Sequence, residues 1–109
     1  MVFIFNQVSF PPEEANKIAT AYIEWLKDNP PDNTIEKNIC IGVKSTEDGN
    51  ILVLGIGDVV KGKAEEALQE TTKQNLFLAS RIKDFKYKAE VILNYTEAYK
   101  ILGMTAPEV

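Results

Sequence analysis

Four side chains in this sequence of 109 residues have the chemistry of a small-molecule site: two amides, Asn6 and Asn38, and two aromatics, Tyr22 and Trp25. The amides interrupt apolar stretches, and an amide buried there without a hydrogen-bond partner costs about 1–3 kcal/mol. The aromatics stand three positions apart, and large aromatics wall many ligand pockets. We therefore expect these four to be the ligand-binding residues. The competing interpretation is structural: the amides bond to backbone at strand ends, and the aromatics belong to the core.

Most catalytic and metal-binding chemistry is missing from the composition. The sequence has no His, one Cys (Cys40) and one Arg (Arg81). Without His it lacks the commonest general base and the commonest metal ligand. One Cys can build neither an internal disulfide nor a thiolate metal site. We interpret Cys40, which lies in an apolar stretch, as a small buried hydrophobe. The expectation is no metal and no cofactor, and the residues identify no catalytic group.

The net charge and the N-terminal residues indicate which kinds of partner and which cellular compartment to expect. Sixteen acidic against twelve basic residues give a net charge of −4, which disfavours nucleic-acid and anionic membrane partners. The apolar run at residues 1–5 has no basic region beside it and is too short for a signal peptide. No apolar stretch approaches the roughly 20 residues that span a bilayer. We therefore expect a cytoplasmic protein without nucleic-acid or membrane partners.

The elements that must position these side chains alternate between strands and helices. Apolar periodicity predicts strands over residues 2–8, 38–44, 51–56 and 86–94. It predicts amphipathic helices from about 12 to 29 and from about 63 to 82, and a short terminal helix capped by Thr96 and closed by Gly103. At the end of the third strand, Gly55-x-Gly57 indicates a bulge or a tight contact between helix and sheet, because no further residues of a phosphate-binding loop follow it.

This β-α-β-β-α-β order with a terminal helix predicts one ferredoxin-like α+β domain over residues 1–109. Right-handed crossovers place strands 1 and 3 at the centre of an antiparallel sheet with strand order 4-1-3-2. The composition agrees, because strands 1 and 3 are apolar on both faces. Strands 2 and 4 carry the charges that protect sheet edges from stray pairing.

Two helices can cover only one face of this sheet, which leaves an apolar face that a single chain rarely exposes. We predict that a second copy covers it, giving a sheet-to-sheet homodimer. The terminal helix is the alternative cover, although its apolar stripe is short. Alternation leaves open whether Phe3 and Phe5 or Val2 and Ile4 face the partner.

Most of the chain resembles the dimeric α+β-barrel superfamily, which includes antibiotic-biosynthesis-type monooxygenases, stress-responsive barrel proteins and many small uncharacterised domains. The residues that look like the second half of these uncharacterised members are Gly55-Ile56-Gly57, Val60, Ala64–Leu68, Asp84-Phe85, Val91–Asn94 and Glu97-Ala98. The resemblance implies a pocket between helices and sheet, catalytic in some members and a binding cavity in others. Haem-degrading members use a His as iron ligand, and this chain has none.

Three functional hypotheses follow. The first is a homodimer that binds a small, partly apolar molecule, and the lack of catalytic groups favours it. The second is a cofactor-free, monooxygenase-like enzyme acting on an aromatic or ketone substrate. The third is a protein-interaction module. Under the first two, the pocket lies between the first helix and the sheet, and Asn6→Leu weakens ligand binding with little effect on the melting temperature.

Overall fold

Four strands and three α-helices follow one another along residues 2–108, the part of the chain described by this computed structural model. The strands are β1 (Val2–Phe10), β2 (Glu36–Ser45), β3 (Ile51–Val59) and β4 (Lys86–Leu93). The helices are α1 (Ala15–Asp28), preceded by a 3₁₀ turn at Pro12–Glu14, then α2 (Ala64–Ala79) and α3 (Tyr95–Ile101). The sheet is antiparallel with order β2-β3-β1-β4. Read from the other edge this is 4-1-3-2, so the ferredoxin-like α+β prediction is confirmed.

Local hydrogen bonds set the helix ends. The second helix stops at Ala79, three residues before its expected end, and the Ser80 hydroxyl donates to the Phe77 carbonyl at 2.7 Å. Asn94 rather than Thr96 caps α3, because its side chain accepts a hydrogen bond from the Thr96 backbone N–H at 2.7 Å. Gly103 follows that helix with a φ of +72°, a conformation that favours glycine.

The core lies between the sheet and the helices in two apolar clusters. One contains Phe10 with buried residues of α1 and α2 and of the segment that follows α2, and the other contains Ile4, Val59 and Ala67. Along β1, Asn6 falls between Ile4 of one cluster and Phe10 of the other. Among residues 2–108, no helix is long and apolar enough to cross a membrane.

The opposite surface of the sheet, here called the open face, carries a strip of half-buried apolar side chains. The pairing register places Phe3 and Phe5 of β1 on it. It places three residues of β3 there as well: Leu52, Leu54 and Ile56. Val2 instead packs with the Ile4 cluster on the helix side. The structure therefore decides the question that alternation left open: Phe3 and Phe5 point away from the helices.

A β-bulge in β2 places the side chains of Asn38 and Cys40 on opposite faces of the sheet. The register shifts between them, so that Asn38 pairs with Gly57 and Cys40 pairs with Ile56. Because paired residues share a face, Asn38 points to the helix side and Cys40 lies on the open face. Cys40 is exposed in the chain. Its interpretation as a buried hydrophobe is therefore wrong for the single chain, since β2 is an edge strand without a covering element on that face.

Candidate functional site

A cavity of about 630 Å³ lies between α1, the loop that follows it, α2 and the helix side of the sheet. Its wall includes all four residues chosen from the sequence: Asn6, Tyr22, Trp25 and Asn38. Pockets for small molecules typically measure about 300–1,000 Å³ and are mostly apolar with a few polar groups. Ile4, Val8 and Leu26 contribute apolar lining here. The fold therefore brings the four residues together around one space of ligand size.

The aromatic wall is held in place by contacts between α1 and α2. The Trp25 ring packs against Phe77 with ring centroids 5.1 Å apart and planes inclined at 46°. The Arg81 guanidinium lies 3.9 Å from the Phe77 ring centroid, and it also contacts the Glu24 carboxylate at 3.4 Å. Trp25 is therefore held by its contact with Phe77, and Tyr22 packs against the Phe10 cluster. Both rings remain half-buried.

Asn6 is engaged in a side-chain pair that sequence reasoning did not identify. Its Nδ2 donates to Asn75 Oδ1 at 3.2 Å, and Asn75 Nδ2 donates to Asn6 Oδ1 at 2.8 Å. Asn75 lies on α2 and is fully buried. Each amide keeps one further N–H and one further lone pair, and Asn6 is part of the cavity lining. The sequence did offer one signal for this pair, because Asn75 is a polar residue within the apolar stripe of α2. It did not indicate the partner, which lies 69 residues away.

Asn38 and two glycines form the floor of the cavity. Asn6 pairs with Gly55 and Asn38 pairs with Gly57, so bare backbone separates the two amides. A Cβ built on Gly55 would meet nothing within 4 Å. Asn38 is exposed on its edge strand. Its amide is therefore the more accessible of the two to a ligand.

Glu36, which sequence reasoning missed, also reaches the cavity. A Cβ built on Gly57 would lie 1.7 Å from Glu36 Oε2, so the carboxylate occupies the space that a side chain at 57 would need. The tight contact at Gly57 is therefore made by the Glu36 carboxylate of the neighbouring strand β2. Partial burial raises the pKa of Glu36 above its ordinary value. No sequence signal pointed to Glu36, because its contact depends on the register between β2 and β3.

Two other carboxylates, Asp32 and Glu70, line the cavity. The Thr34 hydroxyl and backbone N–H donate to Asp32 at 2.6 and 2.9 Å, and these bonds lower the pKa of Asp32. Lys73 contacts Glu70 at 3.1 Å. Within residues 2–108, no three carboxylate or thiol side chains converge on one metal position.

The raised pKa of Glu36 gives a pH-dependent stability prediction. Burial disfavours the ionised carboxylate in the folded state. Below the ordinary pKa of 4.5 the carboxyl is protonated and this costs no stability. The protein loses stability as the pH rises from 4.5 through the higher pKa that Glu36 has in the folded state. Glu36→Gln should therefore raise the melting temperature by about 2–4 °C at pH 7. The gain should shrink towards zero at pH 4. Thermal denaturation by circular dichroism at both pH values measures it.

Glu70→Gln is the matched control, because Glu70 lines the same cavity but is exposed and has Lys73 beside it. It should bring no gain at either pH. An equal gain from both variants at pH 7 would contradict a specific effect of burial at Glu36.

Comparison with known proteins identifies the fold but no family and no function. No family model and no curated protein matches the sequence. Among solved structures, the de novo designed protein Foldit4 is similar with a TM-score of 0.54 at 14% identity, over 85% of this chain and 97% of that one. The C-terminal domain of the MgtC protein from Mycobacterium tuberculosis is similar with a TM-score of 0.50 at 11% identity, over 83% and 88%.

A candidate antibiotic biosynthesis monooxygenase from Deinococcus radiodurans matches with a TM-score of 0.48 at 15% identity, over 83% of this chain and 90% of that one. At these identities a structural likeness extends to the fold alone. The strand order and the likeness to Foldit4 and to the MgtC C-terminal domain show that the chain has a ferredoxin-like α+β fold.

Proposed function

We propose that this protein binds a small, partly apolar molecule in the cavity between α1 and the sheet. The observation that carries the proposal is the cavity itself, about 630 Å³ with Asn6, Tyr22, Trp25 and Asn38 on its wall. Two half-buried rings and several aliphatic side chains suit an apolar body, while the amides supply donors and acceptors without charge. Among residues 2–108, the lining holds no His, Cys, Ser or Lys. Binding therefore needs fewer assumptions than catalysis.

The proposal includes a homodimer formed through the open face. The apolar strip of β1 and β3 runs along the middle of that face, and Lys37 of β2 and Lys88 of β4 lie towards its edges. An apolar centre with a charged rim is typical of protein interfaces. Asp58 Oδ1, at one end of the strip, is buried without a hydrogen-bond partner in the described part of the chain.

The third helix does not serve as the alternative cover. Ile101 at its end is 73% exposed, and Leu102 directly after it is 71% exposed. An apolar stripe packed on the sheet would be buried. A second copy therefore explains the open face better than the terminal helix does.

Filling the cavity from its floor tests the binding proposal. Gly55→Leu adds a side chain at a position where a Cβ meets nothing within 4 Å, so it should enter the cavity without a backbone clash. We expect an uncharged planar probe, N-phenyl-1-naphthylamine, to quench Trp25 saturably in the wild-type protein. Gly55→Leu should weaken that binding about tenfold or more. Trp25 is the sole tryptophan, which makes fluorescence titration a direct measurement.

Gln69→Leu is the control. Gln69 lies on α2, where it is exposed and outside the cavity lining. It should leave the probe affinity within about twofold, a change of no more than about 0.4 kcal/mol. Quenching that never saturates, or equal affinity in wild type and Gly55→Leu, would contradict binding in this cavity.

A further inference from the structure

The cavity has an uneven distribution of charge. Three carboxylates line it, from Asp32, Glu36 and Glu70, and no Lys or Arg lines it among residues 2–108. The charges of two of them are partly balanced from outside. Lys73 contacts Glu70 at 3.1 Å, and Lys63 lies close enough to Asp32 to help lower the pKa of that carboxyl. Glu36 has no such neighbour.

Glu36 is the carboxylate that a ligand would change most. It is half-buried, and within the described part of the chain its carboxylate has neither an ion-pair partner nor a side-chain hydrogen bond. Its Oε2 lies against Gly57, which pairs with Asn38 on the same floor. A buried carboxylate that has lost part of its hydration gains from a positive charge placed beside it. An anion in the same position would be repelled.

The aromatic wall favours the same class of ligand. The rings of Tyr22 and Trp25 attract cations through their negative faces as well as packing against apolar groups. The carbonyl oxygens of Asn6 and Asn38 accept hydrogen bonds from an ammonium group. Nothing in the lining offers an anion a charged donor.

We infer that the ligand is a small organic cation: an ammonium group that sits beside Glu36, attached to an apolar body that packs against Tyr22 and Trp25. This rests on the proposed binding function and names the chemical class of its ligand. It also assigns Glu36 as the residue that selects positive over neutral and negative molecules.

Three probes of similar shape test the inference by isothermal titration calorimetry at pH 7: 2-phenylethylammonium, 2-phenylethanol and 3-phenylpropanoate. The ammonium should bind about tenfold more tightly than the alcohol, because it gives the Glu36 carboxylate a charged hydrogen-bond donor where the alcohol gives a neutral one. The carboxylate should bind most weakly. Glu36→Gln should abolish the preference by weakening the ammonium about tenfold, while the alcohol changes less than about twofold.

A second variant moves the carboxylate without removing its charge. Gly57→Ala places a Cβ 1.7 Å from Glu36 Oε2, so the flexible carboxylate must leave its position. It should weaken ammonium binding about fivefold, because the charge is no longer held beside the site. Gln69→Ala, at an exposed residue of α2 outside the cavity lining, is its control and should change the affinity less than about twofold.

The outcomes separate the inference from the function on which it rests. Equal affinities for ammonium and alcohol would overturn the cation inference and leave cavity binding intact. A preference that survives Glu36→Gln would overturn the role of Glu36. Failure of all three probes and of the uncharged naphthylamine to bind would overturn the proposed function together with the inference.

Discussion

Replacing Asn6 by Leu should lower the melting temperature by about 10 °C or more. The substitution leaves both side-chain polar groups of Asn75 without their partner, and Asn75 is fully buried. Each unsatisfied group costs about 1–3 kcal/mol, and 1 kcal/mol corresponds to about 4–8 °C in a domain of this size. Thermal and urea denaturation measure the loss. The sequence alone predicted that Asn6→Leu would leave the melting temperature nearly unchanged. The hydrogen bonds between Asn6 and Asn75 lead us to expect a large loss instead.

A double-mutant cycle isolates the pair. Asn75→Ala alone should cost less than Asn6→Leu, because the remaining Asn6 is half-buried and borders a cavity that water can enter. Asn6→Leu combined with Asn75→Ala should be more stable than Asn6→Leu alone, since no buried amide then lacks a partner. Asn38→Leu makes the same change on the same cavity at an exposed residue, and it should change stability by less than about 0.5 kcal/mol. Additive losses in the cycle would contradict the pairing.

Replacing Phe5 by Asp should convert the protein into a folded monomer. Wild-type protein at micromolar concentration should scatter light as two chains of 12.2 kDa. Phe5 lies at the middle of the apolar strip on the open face, and a buried unpaired carboxylate there should weaken dimerisation about 100-fold or more. The fold should persist, because that side chain does not contribute to the core beneath the helices.

Two matched variants show that the effect belongs to the open face. Ile4→Asp changes the neighbouring residue of β1, which is 2% exposed in the core, and it should unfold the chain rather than only separate the copies. Ile23→Asp introduces the same charge on α1 at a side chain that is 60% exposed, and it should leave the dimer intact. A wild-type monomer would contradict the homodimer.

The thiol of Cys40 gives an independent measurement of the same interface. Cys40 is exposed in the single chain and lies on the open face beside Ile56. A second copy packed on that face should restrict its access to solvent. Its reaction with a soluble aromatic disulfide should therefore be slower in wild type than in Phe5→Asp, and equal rates would count against sheet-to-sheet packing.

The order of elements and the inner and outer strands of the sheet follow from the sequence alone. Strands β1 and β3 are apolar on both faces, whereas β2 and β4 carry lysines, and this contrast already distinguishes central strands from edges. The aromatic wall could be predicted as well, because Tyr22 and Trp25 share one face of an amphipathic helix. These features depend on local periodicity and on the general rules of strand connection.

Only the tertiary structure decides how the polar side chains meet. Strict alternation would place Asn38 on the same face as Cys40, and the bulge between them moves Asn38 to the cavity side. The Asn6–Asn75 pair joins residues 69 positions apart, and the Glu36 carboxylate lies over Gly57 through the register of β2 and β3. Periodicity fixes which side chains within one element share a face. Bulges, registers and contacts between distant elements depend on how the whole chain packs, and that packing decides which polar groups have partners and which carboxylate remains unpaired in the cavity.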